Sequence, residues 1–171
     1  PSEEVWSSSR TSFVSFKNAL ILFHVHPDGD AAGSAFALRA FVESVGGRAV
    51  CVCADELPER LGFIPDGAQE SVSIAAVPED FVPDLTVSVD TASPSQLGAL
   101  YDVYKDKIDL MIDHHGKGVQ YADYCIDPGA SACGEILYDI LSLACEMLGR
   151  EKLPEEVERL IYTAVSSDTG C

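Results

Sequence analysis

Residues 20–34, LILFHVHPDGDAAGS, place two histidines and two aspartates, His24, His26, Asp28 and Asp30, directly behind an apolar run. Only Gly29 separates Asp28 from Asp30, so a tight turn keeps both carboxylates close, and their like charges repel unless a cation sits between them. A divalent metal is the simplest remedy. Two further apolar runs end in the same kind of residue: 85–89 on Asp90, and 108–112 on Asp113-His114-His115. Imidazole and carboxylate without cysteine form a hard, oxygen-rich donor set, suited to Mn²⁺, Mg²⁺ or a similar ion rather than to a structural zinc. Two ions about 3.5–4 Å apart would clamp a phosphoester while a bridging hydroxide attacks phosphorus in line.

Such a cluster forms only if strand ends converge. The run 20–25 reads as a strand and 31–45 as a helix with apolar residues at helical spacing, stopped by Gly46-Gly47. Strands follow at 48–54, 85–89 and 108–112, with an edge strand at 121–127 and a helix start at Ser93-Pro94. Residues 132–148 carry the apolar stripe of a core-facing helix, capped by Ser131, and another helix runs from Pro154 towards Asp168. Weaker patterns suggest a helix over 5–18, a helix or turn over 55–65 and a short strand over 71–77. Strands without strict alternation, separated by helices, indicate an α/β fold: a mainly parallel β-sheet with helices on both faces. Ligands in such sheets gather beyond the carboxyl ends of the strands, where the three candidate clusters lie.

The chain has 171 residues, enough for one domain with a proper core, and a formal charge of −17 from 28 acidic and 11 basic residues. That surface repels long polyanions, so a long nucleic-acid track on this chain alone is not expected. Small phosphorylated substrates remain compatible, because bound dications invert the charge of a small acidic pocket. No apolar run approaches the roughly 20 residues of a membrane span, and the N-terminus lacks a signal-peptide pattern. The six cysteines form no CxxC pair and mostly sit in apolar segments, which points to reduced, packed thiols and a cytoplasmic protein. Cys51 and Cys53 share one face of their strand.

Four stretches, in order, carry a resemblance: HVHPDGDAAGS at 24–34, Val89-Asp90-Thr91, Asp113-His114-His115 and Ser167-Asp168-Thr169-Gly170. Together they resemble the DHH phosphoesterase family, which includes RecJ-type exonucleases, family II pyrophosphatases, oligoribonuclease/pAp-phosphatase enzymes and cyclic-dinucleotide phosphodiesterases. The resemblance implies two Mn²⁺ ions, with Mg²⁺ or Co²⁺ as substitutes. His24 and Asp28 would hold the first, Asp30, His114 and Asp168 the second, and Asp90 would bridge them. His115 would meet the substrate phosphate and supply a proton to the leaving oxygen, with Asp113 orienting its histidine neighbours. Gly33 and Ser34 would open a helix whose N–H groups face an anion, and His26 would line the pocket without binding metal.

The resemblance further implies that residues 1–171 are a catalytic domain whose usual C-terminal substrate-binding partner domain does not lie in this chain. The expected activity is hydrolysis of short oligoribonucleotides or small nucleotides such as pAp, with a homodimer allowed. Alternatives are a cyclic-di-AMP phosphodiesterase, a pyrophosphatase or exopolyphosphatase, and a non-catalytic nucleotide-binding module.

Overall fold

A computed structural model describes residues 17–65 and 71–170. The helix expected over 5–18 lies outside these residues except for its last two positions, and there Asn18 already begins a strand. Five strands form one sheet: β1 (Asn18–Phe23), β2 (Arg48–Val52), β3 (Leu85–Val89), β4 (Leu110–Asp113) and β5 (Asp123–Ile126). Their order is β2-β1-β3-β4-β5, and every neighbouring pair is parallel. From β1 the chain winds outward to β2, then returns to the other side of β1 for β3, β4 and β5. The winding direction therefore reverses between β1 and β3, and a crevice opens beyond their carboxyl ends.

Among the described residues four helices cover the sheet: α1 (Gly29–Ser44), α2 (Ala99–Tyr104), α3 (Cys133–Met147) and α4 (Glu155–Thr169). Alternate strand residues divide between two cores. Ala19, Ile21 and Phe23 point into the larger core with residues of α1, α3 and α4. Leu20 and Leu22 point the other way, towards Phe81, Leu97, Leu100 and Ile108, where the short α2 lies. Both faces are covered, but the helical weight is on one. Phe23, Phe41, Leu20, Ile21 and Leu22 are fully buried, and each such side chain contributes about 1.5–3 kcal/mol of hydrophobic stabilisation.

Helix α1 is buried on almost all sides of its first three turns, and its sequence there is rich in alanine and glycine. Small side chains let it lie between the sheet and α4, its main helical neighbour. A Cβ at Gly33 would stand 2.9 Å from the Leu160 carbonyl oxygen and 3.1 Å from the Ala164 Cβ, and one at Gly29 would meet the Ser167 side chain. Gly134 of α3 makes the same close approach to Ala164. These glycines hold α4, and Asp168 on its last turn, against the rest of the domain.

Two expectations change. Residues 71–77 are not a strand: Val72 gives one carbonyl to the Cys53 N–H, and then the Ser73 side chain accepts from the Ala75 N–H and turns the chain into a 3-10 helix, Ile74–Ala76. Ser131 does not cap α3, because both its N–H and its hydroxyl donate to the Glu135 carboxylate at 2.7 Å. The first N–H groups of α3 are satisfied from elsewhere.

Candidate metal centre

Strand register brings the first pair together. Phe23 of β1 pairs with Val89 of β3, so the residues that follow, His24 and Asp90, leave the sheet side by side. Nδ1 of His24 lies 2.7 Å from the Val25 carbonyl, which fixes the ring and turns Nε2 inward, 3.5 Å from Asp90 Oδ2 and 3.7 Å from Asp28 Oδ1. Asp28 is itself held as the N-cap of α1, accepting from the Ala31 N–H at 3.0 Å.

β4 pairs with β3 on the other side and delivers the second group. Nε2 of His114 stands 3.3 Å from Asp168 Oδ2, 3.6 Å from Asp90 Oδ1 and 3.7 Å from Asp30 Oδ2. Nδ1 of His115 lies 2.7 Å from Asp113 Oδ1, which accepts if that nitrogen carries the proton, and 3.7 Å from Asp90 Oδ1. Asp90 is thus between His24 on one side and His114 with His115 on the other. Its backbone is left-handed, with φ of 53°, a conformation disfavoured for a residue with a Cβ and concentrated at functional sites. Its N–H donates to the Ile112 carbonyl at 2.9 Å, which anchors the turn to β4.

Asp30 is completely buried and holds three donors: Cys133 N–H on Oδ2 at 2.7 Å, Gly134 N–H on Oδ1 at 3.0 Å and the Ser34 hydroxyl on Oδ1 at 3.0 Å. Asp30 is therefore the cap of α3. Nothing local in the sequence points to this contact, which joins residues more than 100 positions apart.

The electrostatics are those of a crowded acidic cluster. Burial and the Asp90 charge push Asp30 up to about 7, against the bonds it accepts. Burial likewise raises Asp168, the His114 side chain opposing and Asp90 and Asp28 adding to the rise. Burial alone would lower His24, but its contacts with Asp28 and Asp90 outweigh that and raise it to about 10. Asp28 is lowered: burial works against this, and the His24 contact and the Ala31 N–H prevail. His115 is raised, its desolvation overcome by Asp113, Asp90 and Asp168. Asp28 apart, these groups hold their protons more tightly than they would in water.

Whether these residues suit a cation can be judged at Asp90. Its Oδ1 is buried and has no hydrogen-bond partner among the described residues, an expensive condition for a carboxylate oxygen. The imidazole nitrogens around Asp90 stand at 3.5–3.7 Å, too far for hydrogen bonds. Donors sharing one ion at bonds of about 2.1 Å lie about 3–4 Å from one another. The geometry therefore fits cations. Three sets of ligand atoms lie within 4.8 Å of one another: His24, Asp28 and Asp90; Asp30, His114 and Asp168; and Asp90, His114 and His115.

Three expected substrate contacts are placed differently. α1 begins at Gly29, so Gly33 and Ser34 belong to its second turn and not to its N-terminus. Gly33 is buried against α4 and the Ser34 hydroxyl is spent on Asp30, so neither offers a surface to an anion. His26 stays outside the cluster: its side chain is 92 % exposed, its ring nitrogen is 3.1 Å from Asp55 Oδ2, and its N–H donates to the same oxygen. Further supports went unseen in the sequence. The Tyr121 hydroxyl meets Ser88 Oγ at 2.9 Å and Thr91 Oγ1 at 2.7 Å, beside Asp90. The Cys53 thiol donates to the His24 carbonyl at 3.2 Å.

Residues 18–165 match the model of the DHH family, N-terminal domain. The chain belongs to the DHH family. It is 30 % identical over 152 residues to the bifunctional oligoribonuclease and PAP phosphatase NrnA of Thermus thermophilus, an alignment covering 88 % of this chain and 43 % of that protein. This DHH chain therefore spans less than half the length of that relative. Among solved structures, an exopolyphosphatase-related protein from Bacteroides fragilis superposes with a TM-score of 0.83 at 22 % identity, over 99 % of this chain and 51 % of the other. The exonuclease RecJ bound to manganese gives 0.56 at 14 % identity, over 96 % and 42 %. Both share the five-stranded parallel α/β architecture of this DHH domain. NrnA and RecJ are phosphoester hydrolases. Among the described residues no helix is long and apolar enough to cross a membrane.

Proposed function

We propose that this chain is the catalytic half of a DHH phosphoesterase that hydrolyses short oligoribonucleotides or small nucleotides such as pAp. The observation that carries the reading is Asp90: a buried, left-handed aspartate with an orphaned oxygen, flanked by histidines from two different strand ends. His24, Asp28 and Asp90 would hold one divalent cation, and Asp30, His114, Asp168 and Asp90 a second, with Mn²⁺ the favoured ion. Such a pair, when bound, neutralises the carboxylates, lowers the pKa of water to yield a nucleophile and draws charge from the phosphoryl oxygens.

The chain's own residues divide the remaining work. Asp90 sets the spacing of the two ligand groups, because it reaches both. Asp113, 2.7 Å from His115, holds the imidazole in place and favours its protonated form, which suits His115 to hydrogen-bond a phosphoryl oxygen and to pass a proton to the leaving oxygen. Asp30 fixes the second ligand group to α3 and so to the rigid core. The preference for nucleotides over pyrophosphate or polyphosphate follows the NrnA relative, and the formal charge of −17 disfavours long strands.

The test is hydrolysis of a small panel, pAp, a diribonucleotide, cyclic di-AMP and pyrophosphate, with and without Mn²⁺, by the protein and its Asp90→Asn variant. Mn²⁺-dependent cleavage of the first two, lost in the variant, is expected. Nucleotide affinity without turnover of any substrate would leave a binding module instead.

A further inference from the structure

Beside His115 the surface sinks into a recess of about 450 Å³ that the phosphoester chemistry leaves unused. It lies between the carboxyl ends of β4 and β5 and the loop over residues 114–122. Asp113 and His115 form one wall, so the recess is continuous with the candidate metal centre. Val119, Ile126 and Pro128 supply apolar walls, and Gln120 and Tyr124 add polar groups. Its volume is within the ordinary range of small-molecule sites, about 300–1,000 Å³, and a few polar groups on an apolar lining are what such sites present.

Resting on the reading of the site given above, we infer that this recess binds the nucleoside attached to the phosphoryl group being cleaved. Three features set the chemical class. Among the described residues no lysine or arginine lines it, so it offers no cation to the directly linked second phosphate of pyrophosphate or polyphosphate. Its polar lining includes Gln120 and Tyr124, whose side chains make no hydrogen bond within the described residues. An amide with two donors and one acceptor, beside a free phenol, can read the edge of a base or the hydroxyls of a ribose. Val119 is 57 % exposed at the rim, an apolar side chain left open to water that a planar base would cover. The loop carrying it is not loose. Val119 N–H donates to the Ala92 carbonyl at 2.8 Å and Tyr121 is bonded to Thr91, so the rim is pinned to the turn that holds Asp90.

The proposal is tested by binding, which separates it from catalysis. AMP and inorganic phosphate are each titrated, with Mg²⁺ present, into ¹⁵N-labelled protein and its Val119→Trp and Gln120→Ala variants. AMP is expected to shift the Gln120 side-chain amide and the backbone of residues 118–124, whereas phosphate shifts only the neighbourhood of His114 and His115. Val119→Trp, which fills the recess from an exposed position, should weaken AMP binding about tenfold and leave phosphate binding within about twofold. Gln120→Ala should weaken AMP alone. If phosphate perturbs His115 while AMP leaves residues 118–124 unmoved, or if both ligands move Gln120 alike, the recess is not a nucleoside site and the phosphoesterase reading stands. If neither ligand perturbs the cluster, both readings fall.

Discussion

Asp30 and Cys133, 103 positions apart, are joined by a 2.7 Å hydrogen bond in which the Cys133 N–H donates to the Asp30 carboxylate. With the Gly134 N–H on the other oxygen, a proposed cation ligand also closes the N-terminus of α3. The positive end of the helix supports the carboxylate's charge, while burial and Asp90 oppose it. Opposition wins, since Asp30 rises to about 7 from its ordinary 3.8.

That balance has a pH signature. The folded protein holds the Asp30 proton more tightly than the unfolded chain, so this group's stabilisation is complete below about pH 4 and is lost as pH rises through about 7. In the absence of metal, the urea midpoint of the wild type should fall across that interval more steeply than that of Asp30→Asn, which has no proton to lose. Parallel profiles would contradict the assignment. Saturating Mn²⁺ should restore the wild type alone, because only it keeps the carboxylate proposed to hold the ion.

His24 works in the opposite part of the scale. Its pKa is raised to about 10 from 6.5 by Asp28 and Asp90, so in the metal-free protein its stabilising contacts are intact below pH 6.5 and disappear as pH climbs through 10. A metal takes the neutral ring and must displace that proton. Calorimetric Mn²⁺ titrations near neutral pH, in buffers of different ionisation enthalpy, should show about one proton more released by the wild type than by His24→Ala, the remainder coming from Asp30.

Asp90 combines strain with function, so stability and activity should move apart. Asp90→Gly removes a Cβ from a left-handed position and an orphaned carboxylate from the core. Chemical denaturation of the metal-free variant above pH 10, where the His24 contact is already lost, should show a gain of about 1 kcal/mol. Phosphoester hydrolysis should fall by at least about a thousandfold if Asp90 is the ligand proposed to serve both ions. Destabilisation together with retained Mn²⁺ stoichiometry would argue against the shared role.

Gly33→Ala tests the packing of α4. The new Cβ would press on the Leu160 carbonyl and on Ala164, both parts of a helix that cannot yield locally. The expected cost is about 1–3 kcal/mol, with a lower affinity for the ion that Asp168 would hold and less change at the one near His24. A metal titration that resolves two binding steps checks the difference.

Much of the centre could be read in the sequence because its signals are local. His24, Asp90 and Asp113-His114-His115 each follow directly on an apolar run, and a parallel sheet brings strand ends together whatever the loops between them do. Cys51 and Cys53 share a face because a strand alternates. What escaped depends on contacts between distant segments. Ser131 looks like a helix cap, yet the cap of α3 is Asp30; Gly33 and Ser34 look like an anion-binding helix start, yet Asp28 begins the helix a turn earlier. Residues 71–77 have strand composition, but a serine hydroxyl captured a backbone N–H and turned the chain. His26, by spacing a neighbour of the cluster, is drawn off by Asp55.

The seam of glycines between α1, α3 and α4 has a genetic consequence. A single added methyl group at position 29, 33 or 134 would press on α4, the helix that carries Asp168, while every acidic and imidazole side chain kept its identity. The acidic and imidazole positions of such a chain would look intact, although their support had been loosened from behind.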